Sequence, residues 1–314
     1  MKYSGVGGQA VMEGVMMKNL DKYAVAVRKP DKTIEVKVSD YKAGSKFKRL
    51  RKLPILRGVF GFIDSLYLGM STLMYSATFF EDEEEEKPSS KEGLSPDEIK
   101  KLEESEKKKE NAMLGGTLVF SIVMALVIFF VLPYYLSTLF NKVISNEMLV
   151  TFLEGMIRLS IFIGYIALIS LTPDIKRTFM YHGAEHKCIN CIEHGLELNV
   201  ENVRKSSKEH KRCGTSFLLI VMLISIIFFM FIRVDSKFLR ILIRFLLIPV
   251  IAGVSYEFIR LAGKYDNVAV NNLSKPGLWM QKLTTNEPDD EMIEVGIASV
   301  EAVFDWKEWQ KENI

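Results

Sequence analysis

Residues 54–80 read PILRGVFGFIDSLYLGMSTLMYSATFF, and whether this stretch crosses a membrane decides the fold. Beyond Arg57 its one charge is Asp64, so length alone would allow it to span a bilayer, which takes about 20 mostly apolar residues. Four other stretches pass the same test: 113–139 (MLGGTLVFSIVMALVIFFVLPYYLSTL), 149–171, 215–232 and 239–262. Cytoplasmic loops carry an excess of Lys and Arg, and that bias decides against 54–80. With four spans, the lysine-rich N-terminal region, the 172–214 loop with its eight Lys/Arg and the C-terminal tail share one side. The other side keeps loops 140–148 and 233–238, with three Lys/Arg between them. A fifth span would throw the 172–214 loop and the tail to the opposite face. The sequence therefore predicts four transmembrane helices with both termini cytoplasmic, and an amphipathic, interfacial or re-entrant segment at 54–80.

Composition agrees with that division. The 314 residues are 48% hydrophobic yet 25% charged, so apolar and charged residues must be segregated along the chain. A net charge of +2 gives no bulk attraction to nucleic acid, and no DNA partner is expected. Three cysteines are too few and odd in number for a secreted disulfide framework and suit a reducing compartment. The first residues, MKYSGVGGQAVMEGVMM, lack the continuous apolar core of a signal peptide. Within the spans, Glu154 and Arg158 stand four apart, so one helical turn can pair them away from lipid.

The segments outside the spans are short and scattered, which predicts one small cytosolic α+β domain built from the N-terminal region (1–53), the 172–214 loop and the tail (263–314). Residues 23–38 alternate apolar and polar around a KPD turn, a β-hairpin pattern. The glycine-rich 5–17 lacks the Gly-Lys-Ser/Thr ending of a phosphate loop. It reads as a tight turn into a buried strand, with Glu13 as a candidate buried acid. Between Lys42 and Arg57 lie seven basic residues, among them Lys46, Lys48, Arg49, Arg51 and Lys52. This patch is a positive-inside signal that could also meet anionic lipid or RNA phosphate. Residues 81–112 read as a charged linker, with a capping box at Ser95-Pro96-Asp97-Glu98 opening a short helix. In the tail, 276–290 reads as irregular and turn-rich, followed by an amphipathic helix over 288–306.

Chemistry concentrates in residues 181–195, YHGAEHKCINCIEHG, which hold three of the four histidines and two of the three cysteines. His182-Gly183-Ala184-Glu185-His186 fits H-x-x-E-H. On a helix, residues four apart share a face, so both imidazoles can bind one ion, with Glu185 as general base to an activated water. The third ligand is His210 or Cys213, where the chain re-enters the membrane. Glu193 lies on the same face, about 10 Å beyond His186 at 1.5 Å per residue, too far along an unbroken helix. Cys188 and Cys191 form a lone CxxC off that face and read as packing residues. The competing reading is a polar core in which the histidines bond Glu185, Glu193 or Glu209.

GGQAVMEGVMM (7–17), PILRGVFGFIDSL (54–66), YHGAEHK (181–187), NVRKSS (202–207), RCGTSFLLIVM (212–222) and PGLWMQKLTTNEPDD (276–290) together resemble the bacterial YqhQ-like family of unknown function. The resemblance spans nearly the whole chain and implies a multipass protein of the bacterial cytoplasmic membrane. It implies Glu13, His182, Glu185, His186, His210 and Cys213 as signature positions. This chain has Cys188 where the family usually has threonine, and Lys211 where it usually has proline. Two functions are expected from these readings. One is a metal-dependent hydrolase, with zinc the expected ion. The other is a non-catalytic accessory of membrane-protein biogenesis, partnered by membrane lipid and by a translocon, insertase or ribosome.

Overall fold

The structure is a computed structural model that describes residues 2–41, 49–80, 96–232, 234, 236–265 and 267–314. It is mostly helical and divides into two units, one of 1–80 with 163–314 and the other of 81–162.

The first unit begins with a four-stranded antiparallel meander, β1 (Gly7–Val11), β2 (Gly14–Asn19), β3 (Lys22–Arg28) and β4 (Ile34–Asp40), paired in chain order. The expected hairpin is β3–β4, with Arg28 opposite Ile34. Alternation sorts the side chains to two faces. Val15, Met17 and Ala26 join one core, Val11, Met16, Val25 and Val27 the other. Because both faces are covered, β2 and β3 read as continuous apolar runs.

The first face packs under α5 (Pro173–Glu193) and α10 (Asp290–Glu301). The second packs on α1 (Leu56–Ala77), whose Leu68 joins its core and whose Ser76 hydroxyl accepts from the Met12 N–H. Toward its start α1 leaves the sheet and lies against the membrane-type helices. Gly58 there abuts Tyr256, and the Phe62 ring meets Phe217 at 5.6 Å. Segment 54–80 is thus one helix bridging the sheet and the apolar hairpin of α7 (Gly214–Met230) and α8 (Lys237–Lys264). The end of α8 returns to the start of α7, where Gly263 sits beside Arg212.

The tail corrects the sequence reading. Residues 276–284 are not irregular but belong to α9 (Val268–Thr284), with Pro276 inside it. Proline breaks a lone helix, but here Gly277 seats the helix on Ser216 of α7. The amphipathic helix stops at Glu301, and a separate α11 (Trp306–Asn313), N-capped by Asp305, follows it. Between α5 and α7 lies the short α6 (Val200–Lys205), capped by Asn199.

In the second unit the linker reading is corrected too. Residues 96–112 are the first half of one continuous helix, α2 (Pro96–Leu126); Ser95 of the expected capping box lies outside the described residues. A π-helical turn over Val127–Val131 leads into α3 (Leu132–Thr138). Pro133 supplies no N–H and crowds the carbonyl four residues back, which a wider turn relieves. Helix α4 (Glu147–Ile169) carries the Glu154–Arg158 pair at 2.8 Å, both side chains 4% exposed.

Among the described residues three helices are long and apolar enough to cross a membrane: Gly115–Lys142, Glu147–Ile169 and Phe238–Lys264. They correspond to the expected 113–139, 149–171 and 239–262. The expected 215–232 is α7, apolar throughout but shorter. Helix α1 is not among them.

Candidate metal centre

Helix α5 is unbroken from Pro173 to Glu193, and its second half is almost entirely buried. Just past its end stands Gly195, whose φ of 76° is the left-handed conformation common beyond a helix C-terminus. His182 and His186 therefore stand one turn apart, their rings 4.4 Å centroid to centroid.

Each imidazole is held from behind. His182 Nδ1 faces the Thr284 carbonyl at 2.8 Å, and His186 Nδ1 faces the Lys208 carbonyl at 2.6 Å. A carbonyl only accepts, so both rings place a proton on Nδ1 and turn Nε2 the other way. The two Nε2 atoms converge on Cys213, and the three donor atoms lie within 4.8 Å of one another. Cys213 Sγ is 3.3 Å from His182 Nε2.

Three buried anchors bring these pieces together. Lys187 Nζ donates to the carbonyls of Arg204 and Ser206 and pairs with Glu287 at 3.0 Å. Asn190 Nδ2 donates to the carbonyls of Ser207 and Glu209. Gln281 accepts from the His210 N–H at 2.8 Å and donates to the His210 carbonyl and to Ser216 Oγ, each at 2.7 Å. Gln281 thus shapes the turn that presents Cys213 as the N-cap of α7. Gly183 admits the 284–288 segment to α5: a Cβ there would stand 2.0 Å from the Asn286 carbonyl oxygen. The sequence reading missed Lys187, Asn190, Gln281 and Thr284. The signal for the last two was the spacing Ser274, Gly277, Gln281, Thr284, one small and polar stripe on α9.

Electrostatics separate the members of the cluster. Burial alone would raise the Cys213 thiol, but the facing imidazoles hold it well below its ordinary value. Burial likewise lowers His182, yet the thiolate opposite lifts it to about 9. Glu185 is pushed up, chiefly by burial, although His186 and His182 oppose the shift. Its carboxylate is 5% exposed, faces the Gly8 N–H, and its Oε2 has no hydrogen-bond partner. Gly8 is what lets β1 come this close, since a Cβ there would meet Glu185 Cγ at 3.0 Å and the Met16 carbonyl at 2.5 Å.

The remaining sequence candidates fall elsewhere. His210 is not in the donor set: its Nε2 accepts from Arg212 Nη2 at 3.1 Å, and burial draws its pKa down to about 4. Glu193 binds Arg212 at 2.5 Å and the Ser4 N–H and hydroxyl at 2.9 Å, away from the cluster. Glu13 is not a buried acid. It occupies the β1–β2 turn at a φ of 46° and pairs at the sheet edge with Arg177 and the Tyr181 hydroxyl. Cys188 and Cys191 sit in the core beneath α10. Of the basic patch, Lys46 and Lys48 lie outside the described residues; Arg49 is exposed, and Arg51 and Lys52 end a short turn of helix before α1.

Residues 53–306 match a family described as "Protein of unknown function (DUF1385)". The chain belongs to that family. It is 35% identical over 312 residues to the "Uncharacterized protein YqhQ" of Bacillus subtilis (strain 168), covering 98% of this chain and 94% of that protein. No solved structure matches it. The YqhQ-like resemblance of the sequence blocks is thereby shown. The family's description assigns no chemistry.

Proposed function

We propose that this chain is a four-span protein of the bacterial cytoplasmic membrane, both termini cytoplasmic, with a metal-dependent hydrolytic centre in its cytosolic layer. His182, His186 and Cys213 hold the ion, and Glu185 is the base. The observation that carries the reading is the orientation of the imidazoles. Both spend Nδ1 on main-chain carbonyls and turn Nε2 to one point shared with a thiolate, the arrangement that supported metal-binding histidines adopt.

Two imidazoles and a thiolate suit zinc among the divalent ions, and three protein ligands leave a fourth position open. The ion, when bound, supplies Lewis acidity. The chain's own groups do the rest: Nδ1 bonds orient the rings, burial excludes bulk water, and Glu185 offers an unpartnered oxygen with a raised pKa to take a proton. The 17 residues of α7 extend about 26 Å at 1.5 Å each, nearly the hydrocarbon thickness. Its hairpin with α8 makes the crossings even in number. An accessory role beside a translocon, insertase or ribosome would draw on the four spans, the membrane-lying 54–80 segment and the basic patch, and within that patch Arg51 is already committed to Asp64.

Elemental analysis of the detergent-purified protein tests the centre. Wild type should carry about one equivalent of zinc or another transition metal, as a three-ligand site requires, and His182→Ala/His186→Ala should carry none. Equal metal in both, or none in either with zinc supplied, overturns the reading.

A further inference from the structure

A second feature lies away from the metal centre, where α1 begins and α8 ends. A cleft of about 400 Å³ opens there, lined by Arg51, Lys52, Arg57, Asp64, Tyr256 and Arg260, among others. Two of its guanidiniums are aimed by carboxylates: Arg51 by Asp64 and Arg57 by Glu257, each through two hydrogen bonds. Arg260 reaches Glu257 at 3.9 Å and remains 54% exposed. Lys52 is exposed and has no acidic partner among the described residues. Four cations against two carboxylates leave two positive charges in excess.

Leading away from the cleft, α1 bares an apolar stripe. Ile63, Leu66, Tyr67, Met70, Leu73 and Met74 recur at helical spacing, and all are exposed. The opposite stripe, with Leu68, Thr72 and Ser76, is buried beneath the sheet. Apolar area of this extent is not left to water. Its continuity with α8, one of the three helices able to cross a bilayer, puts both stripe and cleft at the membrane surface.

We propose that the cleft binds the phosphate of an anionic phospholipid whose acyl chains lie along the exposed stripe of α1. The phosphate meets the outward nitrogens of Lys52 and Arg260, with the guanidiniums of Arg51 and Arg57 as its floor. Tyr256 sits at headgroup level, where aromatic side chains are enriched. A cationic cleft joined to an apolar stripe is complementary to a charged headgroup on a lipid tail, and free phosphate would leave the stripe bare.

Native mass spectrometry of the full chain, released from micelles containing equal phosphatidylglycerol and phosphatidylcholine, tests this. Wild type should retain phosphatidylglycerol about thirtyfold over phosphatidylcholine, the scale of two surface cations. Lys52→Ala/Arg260→Ala changes two exposed side chains and should bring the ratio to parity, whereas Lys52→Arg/Arg260→Lys should keep it. Leu66→Ser/Met70→Ser should weaken retention of both lipids, and excess inorganic phosphate should not displace the bound lipid. No preference in wild type, or a preference untouched by the double alanine, overturns the proposal. Displacement by phosphate with no effect of the stripe variant makes the occupant free phosphate and overturns it too.

Discussion

Glu185 and Glu193 stand two turns apart on α5, both almost fully buried, and their surroundings push them in opposite directions. At Glu193 burial would raise the pKa, but His210, Arg212 and the Ser4 N–H more than offset it and hold the carboxyl at about 2. At Glu185 burial wins over the two imidazoles and the carboxyl goes up. One helix thus carries a structural anchor and a reactive candidate, and residue type and burial alone do not tell them apart. Hydrogen-bond accounting does. Glu193 Oε1 takes donors from Arg212 and from the Ser4 N–H and hydroxyl, whereas Glu185 faces the Gly8 N–H beside two imidazoles and a thiol, and each keeps an Oε2 without a partner.

The comparison can be broken by substitution. Glu193→Ala should cost most, about 3 kcal/mol, because it removes the buried carboxylate that holds a half-buried Arg212. Thermal unfolding in detergent would read this as a large drop in midpoint, with metal per folded molecule unchanged. Acid should dissect the same anchor. Its folded pKa of about 2 lies below the ordinary 4.5, so its stabilisation, about 3 kcal/mol, is complete above 4.5 and is lost as pH falls toward 2. The gap between wild type and Glu193→Gln should close across that window; a constant gap would refute the assignment.

Smaller effects sharpen the other end of the helix. Gly183→Ala should drive Asn286 off α5 and take the Thr284 carbonyl from His182, weakening metal affinity about 10–100-fold in a zinc titration. Glu185→Gln should keep the metal and raise stability by about 1 kcal/mol, since a buried group with a raised pKa is costly when ionised. Any hydrolysis would be lost. A stability loss there as large as that of Glu193→Ala would make the two glutamates alike. His210→Asn should leave metal content within about twofold, because its Nε2 is spent on Arg212.

Much of this was legible in the residues themselves. Hydrophobic length located the long apolar helices, the hairpin pattern around the KPD turn located β3 and β4, and the four-residue interval of His182 and His186 placed them on one face. What was not legible depends on contacts between distant segments. The choice of Cys213 over His210 follows from a turn shaped by Gln281, on a helix that Pro276 disguised. Glu13 looked buried because its neighbours are apolar, yet a turn at positive φ puts it at the edge of the sheet. Continuous helicity from Pro96 hid behind a composition that resembles a linker.

The sheet's cover also sets an order of events during synthesis. Ser299 on α10 bonds the Ala24 carbonyl from 275 residues away, and Glu193 on α5 holds Ser4 from 189 residues away. The meander therefore leaves the ribosome long before either helix that shields its first face, and contacts so distant in sequence form slowly. In the interval Val15, Met17 and Ala26 have no neighbours above them. Ribosomes stalled before α10 should yield chains already threaded into the bilayer with the β-layer covered by α5 alone and still adhesive, the form that proteases and holdases recognise.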